Sequence, residues 1–449
     1  MPARASRRLA AWTTVAGGLA AALAFGATGA SRAQTVGSVP TQVPPPSHTP
    51  QVAAPRAALP DAASGSLAVR WVLVADRLSF GIANPQVMAS VTMAMHDALN
   101  AAEPRFRRWR AASAGEPPGT GASAEVALSI AAFRVLTSVF PVNAIRQEAE
   151  PLLLEVLRAA EPGPRQVGLA LGDAVGVAIS GRVATAPRVL PFPVGDQPGQ
   201  WRETPPFFHN GMIAEIPPIL FADPADVRGP PPPALGSPRY LADLEEVRRD
   251  GAFDSPTRSE ARSQAAEYWA AQSSQRGFLH LALRLLKAEP LAGGIWEEAR
   301  VLSILAASLA DSSALAWEEK RFHAHWRPIT AIHAGGEGVV ADPQWQPLLL
   351  TPPHPDYPSG HASDCGAGAA VLGGIFGTGP REVVYVAMEP MEQPRRLFPS
   401  FDAAAEECAD SRVWAGAHFR FANDEGLRIG RAIAARALQA VPPATGETR

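Results

Sequence analysis

Along residues 67–183 apolar side chains return every three or four positions, the period of an α-helix with one buried face. In VALSIAAFRVLTSVF, Val126, Ile130, Phe133, Leu136 and Phe140 form such a stripe. RQVGLALGDAVGVAISGRV repeats the pattern after a break at EPGP. Between 184 and 236 the period is lost. Prolines crowd APRVLPFPVGDQPGQWRETPPFF and RGPPPPALGSP too densely for a helix or a central strand. An irregular connection of this length is usually a functional or covering element. The helical period returns over 237–449, with Leu302, Leu305 and Leu309 on one stripe and NDEGLRIGRAIAARALQAV near the end. Alternating β-branched runs persist nowhere, and no repeat of solenoid period is found. The pattern predicts an all-α chain.

Composition narrows this. The chain has 449 residues, 47% hydrophobic and 18% charged, enough for a large core or for two or three domains. Its net charge of −3, with basic residues scattered, gives no footprint for a nucleic-acid partner. Residues 1–33 read as an export signal: Arg4, Arg7 and Arg8 precede an uncharged stretch from Leu9 to Ala30, with small residues at Ser31 and Ala33. SRRLAAW loosely resembles a twin-arginine signal. The uncharged stretch is also long enough for a retained anchor, but its Gly and Thr content and its exit favour cleavage. That predicts an exported, periplasmic or extracellular protein with no stable membrane span. Residues 34–66, rich in Pro, Ala, Ser and Gln, read as a disordered tether. The two cysteines, Cys365 and Cys408, fit one disulfide or two buried thiols, and no zinc spacing occurs.

Three stretches carry candidate chemistry. In WEEKRFHAHWRPITAI, Lys320 and Arg327 lie seven residues apart, so one helix face could present both cations before Pro328 ends or kinks the helix. Two such cations form an oxyanion clamp, although a solvated helix face shows the same spacing. In HPDYPSGHASDCG, Ser359 is a good helix N-cap after Pro358. Gly360 lets backbone N–H groups approach a ligand, and His361 follows at a helix start suited to anions. In DSRVWAGAHFRFAND, Ser411 and His418 are spaced to share a face, with Arg412 able to reach round. The histidines of HAH, His323 and His325, cannot share a helical face, and no HExxH motif is present. His96–Asp97 reads as a structural pair in the first helices.

In this order, Lys-x6-Arg-Pro, Pro-Ser-Gly-His and Ser-Arg-x5-His resemble the signature of vanadium-dependent haloperoxidases and class A acid phosphatases. Both belong to the type 2 phosphatidic acid phosphatase–haloperoxidase superfamily. MAMHDALNAAEPRF and PGQWRETPP add to the likeness, which covers residue 67 to the C-terminus. The resemblance implies two packed helical bundles, 67–183 and 237–449, with the active site in the second. It implies a bound orthovanadate, or phosphate in its place, neutralised by Lys320, Arg327 and Arg412 and hydrogen-bonded by Ser359 and the Gly360 backbone. His418 would be the axial vanadium ligand, or the nucleophile toward phosphorus. His361 would be the acid–base. Partners would be hydrogen peroxide and halide, or a phosphate ester.

The two branches share a scaffold because vanadate mimics the phosphoryl-transfer transition state. The phosphatases carry Asp four residues after the nucleophilic histidine, where this chain has Ala422. Trp317 matches a tryptophan beside the cofactor in chloroperoxidases. His354 stands where those enzymes have Phe and algal bromoperoxidases have His, and is expected to hydrogen-bond His361. Together they favour bromide. The resemblance therefore points to a haloperoxidase, with a secreted acid phosphatase or an inactive anion-binding homologue as alternatives. It also makes Cys365 and Cys408 neighbours if the site-bearing segments meet.

Overall fold

A computed structural model describes residues 65–443, except 80–84, 185–187, 208–211, 216, 272, 337, 381–382 and 386–395. The expected signal, and the tether up to residue 64, lie outside the described residues.

The chain is all-α. Helices α1 (Leu67–Leu78), α2 (Pro85–Ala102), α3 (Ala124–Thr137), α4 (Val142–Glu148), α5 (Glu150–Ala159) and α6 (Pro162–Ala184) come first. Ser66 and Ser123 begin α1 and α3 as N-caps, each accepting the N–H three residues on. The stripe expected on α3 is borne out in part: Val126 and Leu136 are fully buried, Ile130 and Phe133 are half-buried against the core, and the helix stops before Phe140. The buried face is broader than that stripe and takes in Ala127, Leu128, Ala131 and Val135. The reason is a close crossing with α6. A Cβ at Gly172 would lie 2.9 Å from both the Ala127 Cα and the Ile130 Cβ, so the helices approach where small residues leave room. Asp97 accepts the Trp109 and Arg110 N–H groups at 2.7 and 2.9 Å, with the His96 ring 3.0 Å away, and so pins the loop after α2.

Next come α7 (Pro238–Asp250), α8 (Glu260–Ala270), α9 (Ser274–Ala288), α10 (Gly294–His323), α11 (Pro328–Ala334), α12 (Gly360–Phe376), α13 (Phe401–Trp414) and α14 (Arg420–Leu438). The 30-residue α10 is central, packing against α2 on one side and α9, α12 and α14 on the other. It is long and apolar enough to cross a membrane, yet 83% of its apolar window is buried inside the protein. One hydrophobic core runs from α1 through α10 to α14, and a second, aromatic one gathers Tyr240, Trp326, Tyr357, Phe419 and Phe421.

The proline-rich connection contains one short antiparallel ribbon, β1 (Arg188–Pro191) with β2 (Met212–Glu215). A second, β3 (Val383–Tyr385) with β4 (Arg396–Phe398), lies between α12 and α13. The connection is strapped over the turn after α10. Trp201 N–H donates to the Ala324 carbonyl at 2.7 Å, and Trp326 N–H to the Gly199 carbonyl at 3.0 Å. Further on, Asp311 of α10 accepts the Ile219 and Leu220 N–H groups, both at 2.7 Å.

Cys365 and Cys408 form a disulfide joining α12 to α13, across 43 residues of sequence. Restricting a loop of that size in the unfolded chain is worth about 4 kcal/mol in the chain-entropy description. The Cys365→Ser, Cys408→Ser double variant should therefore lose about that much in denaturant unfolding. A variant with unchanged midpoint and slope would show the cross-link to be thermodynamically idle.

His325 is buried edge-on against Phe419 and Phe421, and neither ring nitrogen has a hydrogen bond of good geometry. Burial pushes its pKa down from 6.5 to about 3. The unfolded chain therefore takes up this proton first. The neutral ring carries no penalty above about pH 6.5, and stability is lost as pH falls from there toward 3. His325→Phe should remove that dependence, so its stability relative to the parent should rise by roughly 2 kcal/mol between pH 7.5 and pH 5. Parallel unfolding curves at the two pH values check this. An equal difference at both would contradict it.

Candidate active site

The three motif stretches converge on one buried centre, by routes that differ from the expected helix faces. Lys320 lies in the last turn of α10, but Arg327 is not on that helix. The helix ends at His323, Ala324 turns the chain with a φ of 43°, and Arg327 caps the next helix, α11. The turn aims both cations at the HPDYPSGH loop. Ser411 and His418 do not share a helix face either. α13 ends at Trp414, and the Ser411 hydroxyl donates to the Cys408 carbonyl at 2.6 Å, inside its own helix. Gly416, with a φ of 74°, reverses the chain so that Ala417 and His418 N–H both return to the Arg412 carbonyl. A Cβ there would lie 2.6 Å from the Gly251 carbonyl oxygen, so only glycine fits.

Lys320 Nζ donates to the Pro355 and Asp356 carbonyls, both at 2.8 Å, which leaves one of its three N–H bonds free. Arg327 donates from Nε to the His354 carbonyl and from Nη1 to the Ala417 carbonyl, both at 2.7 Å. Its Nη1 is also 3.0 Å from His418 Nε2, and its Nη2 is 3.0 Å from His354 Nδ1. Guanidinium nitrogens only donate, so both imidazole nitrogens present lone pairs to Arg327. Arg412 differs: its Nε and Nη1 are buried with no hydrogen-bond partner. Ser359 caps α12 by accepting the Ala362 N–H, which leaves its own O–H free to donate. Beside it, a Cβ on Gly360 would meet nothing within 4 Å. Open space lies at the helix start.

The electrostatics are one-sided. Lys320, Arg327 and Arg412 are essentially inaccessible to solvent. Burial pulls Lys320 well below its ordinary pKa, and the Arg327 and Arg412 charges pull it further. Burial lowers Arg412 to about 9, with Arg327 adding to the effect, and lowers Arg327 to about 10. Their nearest counter-charge is Asp356, whose own carboxyl burial pushes up to about 7 against the pull of Arg327 and Lys320. His354, His361 and His418 all lie well below the usual imidazole value, first through burial and then through these cations. An oxyanion in the open space would supply the missing negative charge and accept from the idle Arg412, Lys320 and Ser359 donors.

His354 does not reach His361 as expected. It is held by Arg327 and stands edge-on to Trp317 at 4.5 Å, while His361 acts on it only through charge. The Trp269 backbone near the end of α8 instead favours a proton on His361, against burial and the cations. Phe192, from the connection, touches both Trp317 and His354, with ring centroids at 5.8 and 6.4 Å, and Trp201 packs behind it at 5.9 Å. Sequence reasoning did not single out these two aromatics.

It also passed over Asp356, in the very stretch that carries His354, Ser359 and His361. His418 Nδ1 lies 2.8 Å from Asp356 Oδ1, close enough for an ion pair but outside the angles of a well-formed hydrogen bond. Position 422, where a carboxylate was sought, is a buried alanine whose carbonyl accepts the Ser359 N–H at 2.8 Å. The local signal was a lone acid between Pro355 and Pro358, in a loop where it can cap no helix. Among the described residues, no group of three or more His, Cys, Asp or Glu is placed to hold a metal ion directly.

Comparison with known proteins follows the same residues. Residues 300–444 match the family described as the VCPO second helical-bundle domain. Over 79 residues the chain is 32% identical to the vanadium chloroperoxidase of Curvularia inaequalis, a stretch covering 15% of this chain and 13% of that protein. Among solved structures, the fold is similar to that of the first bacterial vanadium-dependent iodoperoxidase, with a TM-score of 0.70 at 22% identity. That likeness covers 84% of this chain and 97% of the other. It is also similar to the holo-type bacterial vanadium-dependent chloroperoxidase, with a TM-score of 0.57 at 17% identity, over 81% and 93% of the two chains.

Proposed function

We propose, for a chain whose fold is that of the vanadium haloperoxidases and whose residues 300–444 match the VCPO second helical-bundle domain, that it is a vanadate-dependent haloperoxidase oxidising halide with hydrogen peroxide, bromide ahead of chloride. One observation carries the reading. Three buried cations converge on a space edged by idle donors, with Asp356 the one carboxylate opposing them among the described residues. Oxygen-rich anions suit this donor set, and the lone pair on His418 Nε2 suits a ligand bond to the anion's central atom.

Vanadate, when bound, would supply the Lewis-acidic centre at which peroxide becomes reactive toward halide. Lys320, Arg327 and Arg412 would hold its oxygens and spread their charge. Ser359 donates its hydroxyl proton in a hydrogen bond, beside the free N–H groups of the α12 start. His418 offers Nε2 from a fixed ring. His361 gives and recovers the proton that oxygen transfer requires. Phe192, Trp201 and Trp317 wall the approach and exclude water, which strengthens every charge interaction inside. Work outside the cytoplasm is part of the proposal. It rests on the basic and uncharged N-terminal pattern, and the Cys365–Cys408 disulfide suits an oxidising compartment.

A paired assay on one preparation tests this. Bromide oxidation that needs both peroxide and orthovanadate supports it. Hydrolysis of p-nitrophenyl phosphate alone, inhibited by vanadate, supports the second reading, a phosphomonoesterase. Asp356 behind His418 favours that second reading more than Ala422 does, because a backed histidine is also the better nucleophile toward phosphorus.

His354→Phe should alter the bromide-to-chloride ratio and move the pH optimum while leaving the anion bound. It removes an acceptor from Arg327 Nη2 and a polar edge from Trp317. A variant with the parent's ratio and pH profile would make His354 a bystander.

A further inference from the structure

We propose that Asp356 is a positioning residue that holds His418 in one tautomer, with the proton on Nδ1 and the Nε2 lone pair facing the cationic site. The inference rests on the oxyanion reading of that site. With Arg327 Nη1 donating to Nε2 at 3.0 Å, the ring proton sits on Nδ1. The Asp356 carboxylate lies 2.8 Å from Nδ1, at ion-pair distance though outside the angles of a well-formed hydrogen bond.

Arg327 alone cannot keep that arrangement. An oxyanion in the site draws the guanidinium from Nε2 to its own oxygens, before or without a bond to Nε2. Once it does, only a partner on the Nδ1 side can select the tautomer, and Asp356 is built to stay there. Its main chain is clamped at both ends: its carbonyl accepts from Lys320 Nζ at 2.8 Å, and its N–H donates to the His325 carbonyl at 2.9 Å. Its side chain is 0% exposed. The same carboxylate lies 3.8 Å from Arg327 Nη1, so it also keeps that cation near the ring after the Nε2 contact is released. A carboxylate behind a ligating or nucleophilic histidine fixes the ring's tautomer and orientation, and losing such a partner typically costs about 10–100-fold in affinity.

Two anions separate this role from general support of the site. Phosphate is held by the cations alone, whereas vanadate also bonds to Nε2. In Asp356→Ala, vanadate affinity should fall by about 10–100-fold and phosphate affinity by much less. Nitrogen NMR of the labelled His418 ring in the phosphate-bound protein should change from a single Nδ1–H tautomer to a mixture. If Asp356→Ala does not fold, Asp356→Asn takes the same measurements, with a smaller fall in the vanadate-to-phosphate affinity ratio expected. An unchanged ratio together with an unchanged tautomer overturns the proposal. If the parent chain binds phosphate but shows no preference for vanadate, the haloperoxidase reading fails, while the tautomer measurement still decides the role of Asp356.

Discussion

Replacing Arg412 by methionine is expected to weaken vanadate or phosphate binding by about 2–5 kcal/mol, the usual cost of removing one member of a desolvated charge cluster. The same change should leave the anion-free protein as stable as its parent, or more so. Both halves follow from its surroundings. Arg412 is 1% exposed, and its Nε and Nη1 atoms have no hydrogen-bond partner, so these donors tie down no local structure. Burial and the nearby Arg327 charge both disfavour it, lowering its pKa to about 9. A buried cation of this kind is an energetic burden until an anion arrives, and an apolar side chain of similar length removes the burden. Thermal unfolding with and without phosphate checks the pair of effects. The parent should gain stability with phosphate and the variant should gain almost none. A variant that is destabilised without anion, yet responds to phosphate like the parent, would show Arg412 to be a structural cation.

His361→Ala should lower halide oxidation by about 10²–10⁴-fold, the usual contribution of a positioned acid–base. Vanadate affinity should change only a few-fold, because none of the neutralising cations is lost. In the anion-free site the ring is held neutral, first by burial and then by the Arg412 and Lys320 charges. An oxyanion cancels much of that repulsion and raises the imidazole pKa, so the ring can carry a proton when the site is loaded. The alkaline limb of the parent's pH profile, where this ring loses its proton, should therefore depend on it and be absent from the variant's residual activity. Full bromide oxidation by His361→Ala across pH 5–8 would refute the acid–base role.

Local chemistry was legible in the sequence where one residue acts on its near neighbours. Ser359 caps α12 as its place after Pro358 predicted, and the described part of the proline-dense connection is irregular apart from one short ribbon and a 3-10 turn at Pro224–Asp226. The meeting of Lys320 with Arg327 was legible only in outcome. Its means is a left-handed Ala324, a position that ordinarily calls for glycine, and nothing in FHAHW announces it. The same holds for His418, which reaches Arg412 through the Gly416 reversal and not along one helix.

What stayed hidden depends on contacts distant in sequence. Phe192 reaches Trp317 and His354 only because the connection is strapped onto the turn after α10 by backbone bonds, which carry no side-chain signature. The α3 stripe was incomplete for a related reason: the crossing with α6 also buries Ala127 and Ala131, and small residues at a tight contact weaken the hydrophobic period. Asp356 was hidden differently. It lay in plain view, but the carboxylate for His418 was sought at a fixed spacing along the chain. The fold supplies it from another loop.

The most direct measurement is a crystal structure of the protein soaked in orthovanadate. The account predicts a single vanadium centre attached to His418 Nε2, its oxygens held by Lys320, Arg327 and Arg412, with Ser359 and Gly360 at the α12 start. Vanadium bound through another residue, or a well-formed site that stays free of vanadium under saturating orthovanadate, would contradict it.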